Sequence, residues 1–265
     1  MIFDEVPHSS PIVFSLMFVV ALPLLGQAIE PPSPQQLSAI TARGRQLAGY
    51  DAVAWRATDV LMATNPDSSL LGRYIARQTV TGWRVAFGRL AADLSAFRIA
   101  YEASQKTSTS RAFDIHARRP LVSDTGYYLH AARALNLAER DFGAPSRRFN
   151  AAAIPIKTGG WWVYLLPAQD REGVFPHGGD VRYRISADGL RIEEKRQLHN
   201  GVLEMGPPPK GAENGMHTVL LDSAPTDTDV FYVLTRLPQL PELVVTKPFL
   251  FLVTIDGSIS YLGRR

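Results

Sequence analysis

The sequence contains no cysteine in its 265 residues. This absence excludes disulfide bonds, thiolate zinc sites, iron–sulfur clusters, a cysteine nucleophile and lipid attachment at a cysteine. The folded chain must therefore be stabilised by packing rather than by disulfides. A chain of this length buries enough apolar surface to form a hydrophobic core without covalent cross-links.

The motifs of several common enzyme classes are missing as well. The sequence has no GxGxxG, P-loop, GxSxG or HExxH motif, which argues against nucleotide enzymes, α/β-hydrolases and the common zinc proteases. It has no N-x-S/T sequon, and together with the missing disulfides this favours a bacterial envelope protein. Its net charge of +3 comes from scattered basic residues, so we predict no nucleic-acid partner.

Residues 11–26 (PIVFSLMFVVALPLLG) are the only apolar run that approaches the length of a membrane-spanning helix. The run is shorter than the roughly 20 residues that such a helix needs, and small residues follow at Gly26 and Ala28. We therefore predict a signal peptide over residues 1–28, a periplasmic or secreted protein, and membrane contact only through this segment. Asp4 and Glu5 replace the usual basic start, so an uncleaved N-terminal anchor or a misassigned start codon stays open.

Residues 29–145 predict a helix plus an antiparallel sheet, and residues 146–265 predict a β-rich region, with one continuous domain over 29–265 as the alternative. A helix is predicted from Pro34 to Thr64 and a second one from about Thr125 to Phe142. Because the predicted strands do not alternate with helices, the fold class is α+β with antiparallel sheets and two main helices. The C-terminal half is predicted to be mostly β.

Turn residues and apolar alternation organise this C-terminal half. Asp188-Gly189 and Asp256-Gly257 each predict the turn of a hairpin. Residues 217–223 and 230–236 predict two further strands, and residues 206–215 (GPPPKGAENG) predict a flexible loop.

Two groups of residues are candidate binding sites. His177 and Asp180 flank two glycines, which allow a backbone to approach a ligand or metal closely; a tight turn is the alternative. Trp162 and Tyr164 share one face of a predicted strand, where they either line a groove for a sugar or peptide or pack in the core.

The segment from His217 to Asp229 (HTVLLDSAPTDTD) has the residue types of a metal site. It resembles part of the JAB/MPN (JAMM) metalloprotease fold, in which an H-x-H pair and the aspartate of a P-S-x-x-D motif hold zinc. The resemblance covers residues 217–262; Val219 stands at the second histidine position, Thr226 replaces the serine, and the gap is one residue shorter.

The resemblance implies that His217 and Asp229 would bind zinc and that a separate glutamate, Glu204 or Glu194, would act on the zinc-bound water. His199 would complete the ligand set, with His177 as the alternative, because catalytic zinc sites use three protein ligands.

The sequence favours a non-catalytic binding or structural module of the cell envelope, without a cofactor and with an unidentified envelope ligand or protein as partner. A degenerate JAB/MPN-like metal-dependent hydrolase, with zinc, is the alternative.

Overall fold

The protein is described by a computed structural model that covers residues 29–107 and 110–265. The predicted signal segment, residues 1–28, lies outside the described residues. Within the described residues the chain forms three α-helices and fourteen β-strands, and its C-terminal half consists mostly of strands. The prediction of an α+β fold is confirmed.

Helix α1 (Pro34–Met62) begins at a complete capping box. The Ser33 hydroxyl accepts from the backbone N–H of Gln36, and the Gln36 side chain accepts from the backbone N–H of Ser33. The buried stripe of α1 enters two different cores, with Leu37 in one and Leu47 to Leu61 in the other. The helix therefore connects two parts of the fold.

Helix α2 (Tyr127–Phe142) is amphipathic and ends at Gly143, whose positive φ terminates the helix. The Asp124 carboxylate accepts from the backbone N–H groups of Gly126 and Leu129 at the start of the helix. This helix matches the prediction from the sequence in type and in extent.

Two four-stranded antiparallel sheets lie between these helices. Sheet I has the order β1 (Arg73–Thr79), β2 (Gly82–Leu90), β3 (Phe97–Gln105), β4 (Phe113–Asp124). Sheet II has the order β5 (Phe149–Pro155), β6 (Trp161–Pro167), β8 (Val181–Ile185), β9 (Ile192–Gln197). The hairpin predicted at Asp188-Gly189 joins β8 and β9.

Neighbouring residues of these strands pack on opposite sides of the sheets. Ala76 and Tyr164 belong to the core beneath α1, whereas Ile75 and Val163 belong to the core beneath α2. Because successive strand side chains point to opposite faces, one layer of strands serves two helices. This arrangement explains why β6 is apolar along nearly its whole length.

Two smaller sheets complete the C-terminal half. Sheet III pairs β7 (Phe175–Gly178) with β10 (Val202–Met205). Sheet IV has the order β11 (Gly215–Thr218), β12 (Glu242–Val245), β13 (Phe249–Val253), β14 (Ile259–Arg264). Its first pair is parallel and its other pairs are antiparallel, and the predicted Asp256-Gly257 turn joins β13 and β14.

The prediction of a strand over residues 230–236 is wrong, because this segment lies in helix α3 (Asp227–Thr235). Thr226 and Asp229 form a capping box that starts the helix, and this T-x-x-D signal outweighs the β-propensity of Val230, Phe231 and Tyr232. The strand predicted from His217 is also shorter than expected and ends at Thr218.

Helix α3 packs closely across α1. A Cβ placed on Gly44 of α1 would lie 2.5 Å from Val230 Cβ and 2.6 Å from the Asp227 carbonyl oxygen. Only glycine therefore permits this approach.

Residues Pro31–Arg265 form one compact unit. Among the described residues, no helix combines the length and the apolar character that crossing a membrane requires.

Candidate metal centre

Three histidines and one aspartate converge in the C-terminal half of the fold. His177 lies on β7, His199 follows β9, His217 lies on β11 and Asp229 is in the first turn of α3. All four residues are buried, and one potential ligand atom of each lies within 4.8 Å of the others. The residues come from three sheets and a helix, so the cluster exists only in the folded chain.

The Asp229 carboxylate is oriented by the capping box of α3. Its Oδ2 atom accepts from the backbone N–H of Thr226 at 2.6 Å, while the Thr226 hydroxyl accepts from the Asp229 N–H. Oδ1 is thereby left to face the histidines.

The three imidazole rings meet at this one carboxylate oxygen. The Nε2 atom lies 3.1 Å from Asp229 Oδ1 in His177, and 3.0 Å from it in both His199 and His217. The His177 and His217 contacts have hydrogen-bond geometry. His199 Nε2 is buried without a hydrogen-bond partner among the described residues, although it is close to the carboxylate.

Two buried carboxylates hold the outer nitrogens of two of these rings. His199 Nδ1 lies 2.7 Å from Asp180 Oδ1, and His217 Nδ1 lies 3.0 Å from Glu242 Oε1. Arg236 in turn contacts Glu242 at 2.7 Å. An acceptor on Nδ1 fixes the ring so that Nε2 points to the centre of the cluster, which is the usual outer arrangement of metal-bound histidines.

His177 is held differently. Its ring stacks on Tyr232 of α3, with ring centroids 4.3 Å apart. The two residues that follow it, Gly178 and Gly179, both have positive φ, and a Cβ on either would collide with the loop at Gly201 and Val202. The glycines therefore let β7 bring His177 close to β10, as glycine permits and other residues do not.

The cluster alters the acidity of its members. Burial lowers the pKa of His177. Burial also opposes the charged form of His199 and His217, but the nearby carboxylates outweigh it and raise their pKa values to about 11 and about 9. Despite its own burial, Asp229 has a pKa well below its usual value because of the His199 and His217 charges. The carboxylates of the cluster therefore favour the charged forms of these two rings.

A further buried carboxylate, Asp227, anchors the start of α3. It accepts from Tyr164 Oη at 2.9 Å, and it pairs with Arg182 of β8 and with Arg43 of α1 at 2.8 Å. The Arg182 guanidinium also lies over Trp162, 4.6 Å from the ring centroid. Since Asp229 follows two residues later, these contacts fix the position of the aspartate in the cluster.

The structure places the residues singled out from the sequence in different surroundings. His177, His199, His217 and Asp229 come together, and Asp180 supports His199. Tyr164 is fully buried, and Trp162 is partly buried beneath Arg182. Glu204 pairs with Arg147, Glu194 lies 4.0 Å from Arg182, both side chains are partly exposed, and neither belongs to the group of four clustered ligands. Val219, which stands at the second histidine position of the JAB/MPN pattern, is in the apolar core of sheet IV.

Sequence reasoning did not identify Glu242, Arg236 or Tyr232 as part of the site. Glu242 and Arg236 come from segments with no recognisable motif, and their burial is a tertiary effect. The T-x-x-D capping signal at Thr226 was available in the sequence, and it would have placed Asp229 at a helix start.

The donor set suits a divalent transition metal. Imidazole nitrogen and carboxylate oxygen are ligands that zinc accepts, at bond lengths of about 2.0–2.2 Å. In a tetrahedron of that size the ligand atoms are about 3.3 Å apart, and the distances from Asp229 Oδ1 to the three nitrogens are 3.0–3.1 Å. His199 Nε2 lies 3.0 Å from Asp229 Oδ1 without forming a hydrogen bond, which is a further sign that the cluster is built for a ligand other than its own side chains.

Comparison with known proteins gives no match to a protein-family model, to a curated protein or to a solved structure.

Proposed function

We propose that this chain is an exported, non-catalytic metal-binding protein of the cell envelope, and that His177, His199, His217 and Asp229 bind one zinc ion. The observation that carries the proposal is the meeting of three histidine Nε2 atoms at one carboxylate oxygen in a buried site. Buried titratable groups are costly unless they are paired or bind a metal. The burial of four titratable side chains in one cluster therefore favours a role in metal binding.

The number of ligands supports a structural role for the ion. Structural zinc sites are closed by four protein ligands, whereas catalytic sites use three and keep a position for water or substrate. Here four side chains are available, and the most exposed of them, His199, has only 8% of its surface accessible. Glu204 pairs with Arg147 and Glu194 with Arg182, and neither is one of the four clustered ligands. The geometry thus supports a closed site over the alternative of a metal-dependent hydrolase.

The origin of the ligands indicates what the ion would do. His177 comes from sheet III, His199 from the end of a sheet II strand, His217 from sheet IV and Asp229 from α3. Sheet IV packs with α3 and with Leu37 of α1 in an apolar cluster that is separate from the two cores of sheets I and II. An ion bound by all four would tie sheet IV and α3 to the rest of the protein.

Metal analysis of the purified protein is the direct test. We expect one equivalent of zinc by mass spectrometry, and its loss in His217→Ala. His116→Ala is the matched control, because His116 is an exposed histidine on β4 outside the cluster. Cobalt(II) added to the metal-free protein should give the intense visible absorption of tetrahedral coordination, and His217→Ala should abolish it.

Thermal unfolding gives an independent measurement. Zinc at a thousand times its dissociation constant stabilises the folded state by about 4 kcal/mol, and for a chain of this size this raises the Tm by roughly 8–16 °C. A protein that contains no stoichiometric metal, and whose Tm does not respond to added zinc or cobalt, would refute the proposal.

A further inference from the structure

A second candidate site, independent of the metal centre, lies where sheet I approaches sheet II. It is a cavity of about 200 Å³ lined by residues of α1, β1, β2, β5 and α2. Three aromatic rings, those of Tyr50, Trp83 and Tyr127, form much of its wall. Space for one liquid water is about 30 Å³, so the cavity holds about six or seven waters. This is the size of one small ring, and it is less than the about 300–1,000 Å³ of a drug-sized pocket.

The rim of the cavity carries hydrogen-bonding groups that nothing in the described chain uses. Gln46 and Gln78 are exposed and Trp83 is half-buried, and neither the two side-chain amides nor the indole N–H of Trp83 has a hydrogen-bond partner among the described residues. Each amide offers two donors and an acceptor, and the indole offers one donor. The cavity thus combines aromatic walls with several polar groups at its edge.

The main chain of β1 adds to this rim. Strand β1 is at the edge of sheet I, so alternate residues direct their N–H and C=O away from β2. Ala76 is one of these outward-directed residues. Its N–H donates to the Tyr50 hydroxyl oxygen, and its C=O accepts from the Tyr127 hydroxyl. Gln78, two residues further along, directs its main-chain groups to the same side, and no described residue pairs with them.

The hydroxyl groups of the same two tyrosines favour a small molecule in the cavity over a peptide strand that pairs with β1. A peptide that extended sheet I would have to pair with successive outward residues of β1. Tyr50 and Tyr127 already occupy the N–H and C=O of Ala76, the middle one of the outward residues Tyr74, Ala76 and Gln78, so such a strand could not pair continuously along β1. The edge is closed to a strand and open to a compact molecule.

The neutral lining of the cavity indicates the chemical class of its ligand. None of the residues lining the cavity is acidic or basic. The Arg77 guanidinium lies over the Tyr127 ring, 4.7 Å from its centroid. A charged ligand would therefore find no counter-ion in the wall. Apolar ring faces together with several neutral donors and acceptors suit a molecule with an apolar face and hydroxyl groups at its edge.

We propose that this cavity binds a single neutral sugar ring, stacked on Trp83 and hydrogen-bonded by the amides of Gln46 and Gln78. This role goes beyond metal binding and does not depend on it. It gives the protein a ligand of the kind that a binding module requires.

Saturation-transfer NMR on the full chain tests the proposal with two named probes, D-glucose and N-acetyl-D-glucosamine. Each is titrated to about 10 mM, a concentration that half-saturates a site with a Kd of about 10 mM. We expect transfer from at least one sugar, and Trp83→Ala should weaken its affinity at least tenfold. Trp55→Ala is the control, because Trp55 is a 68% exposed tryptophan that does not line the cavity.

Gln78→Ala is a second test variant, which keeps the proposal testable if Trp83→Ala does not fold. Gln78 is exposed, so its replacement leaves the core intact, and the lost hydrogen bonds should weaken sugar binding about threefold to tenfold. Absence of transfer from both sugars overturns the proposal, as does sugar binding that survives both substitutions. Binding of adenosine or of a neutral tripeptide, with neither sugar bound, overturns it too. Zinc content serves as the readout for the separate metal proposal.

Discussion

The close crossing of α1 and α3 allows a sharp test with two glycines of the same helix. In a helix interior, replacing glycine by alanine ordinarily stabilises by up to about 1 kcal/mol. A Cβ on Gly49 would meet only Trp83 Cζ2 at 3.6 Å, an ordinary contact, so Gly49→Ala should gain most of that amount. A Cβ on Gly44 would lie 2.5 Å from Val230 Cβ and 2.6 Å from the Asp227 carbonyl oxygen.

Carbon atoms prefer separations of about 3.5–4.0 Å, so α3 would have to move away by about 1 Å in Gly44→Ala. Overpacking of this kind costs about 1–3 kcal/mol. Subtracting the helix gain leaves a net loss of about 0–2 kcal/mol, or up to roughly 8 °C in Tm, so Gly44→Ala should be about 1–3 kcal/mol less stable than Gly49→Ala.

Because α3 carries Asp229, Gly44→Ala should also bind zinc more weakly, whereas Gly49→Ala should not. Urea denaturation of the metal-free variants gives the stability change, and competition with a chelator gives the affinity. If Gly44→Ala is as stable as Gly49→Ala, the inferred contact between the two helices is incorrect.

Three further predictions concern buried polar groups. Asp180→Asn should lower the zinc affinity about 10–100-fold in chelator competition, because the substitution removes the charge that orients His199. The same substitution at the exposed Asp59 should leave the zinc affinity unchanged. Tyr164→Phe removes a buried hydroxyl donor to a carboxylate and should cost about 1.5–3 kcal/mol of unfolding free energy; the same change at the exposed Tyr261 should have no measurable effect. Burial raises the pKa of Asp51 from 3.8 to about 6. Between these two pH values the folded state binds more protons than the unfolded state. The free energy of unfolding therefore falls as the pH rises from about 4 to about 6. Asp51→Asn should therefore stabilise the folded state by about 1–3 kcal/mol at pH 7 and by little below pH 4. Urea titrations at both pH values measure this difference, and an equal gain at the two would contradict the reasoning.

Local signals account for the elements that the sequence predicts correctly. The Ser33–Gln36 capping box, the terminating Gly143 and the two Asp-Gly turns act within a few residues, so their effects can be read without the rest of the chain. Helix α3 shows the opposite case. Its β-branched and aromatic residues favour a strand in isolation, and the capping box together with packing against Gly44 decides for a helix.

The candidate site was accessible from the sequence only in part. The histidines and Asp229 were recognisable as residues with ligand chemistry, but the spacings from His177 to His199 to His217 follow no metal rule. Those spacings reflect the path of the chain through β7, β9 and β11, and only the sheet arrangement brings the rings together. Glu242 and Arg236 are ordinary charged residues in the sequence and become part of the site because the fold buries them.

By itself, the sequence determined that the protein lacks cysteine chemistry, that its fold is α+β, and where most of its helices and hairpins begin and end. These properties follow from composition and from interactions between near neighbours. The tertiary structure alone decided which of the histidines meet, which oxygen of Asp229 faces them, and that the edge of β1 borders a cavity with neutral walls. Those features join residues that are distant along the chain, and their positions are set by the packing of separate sheets and helices.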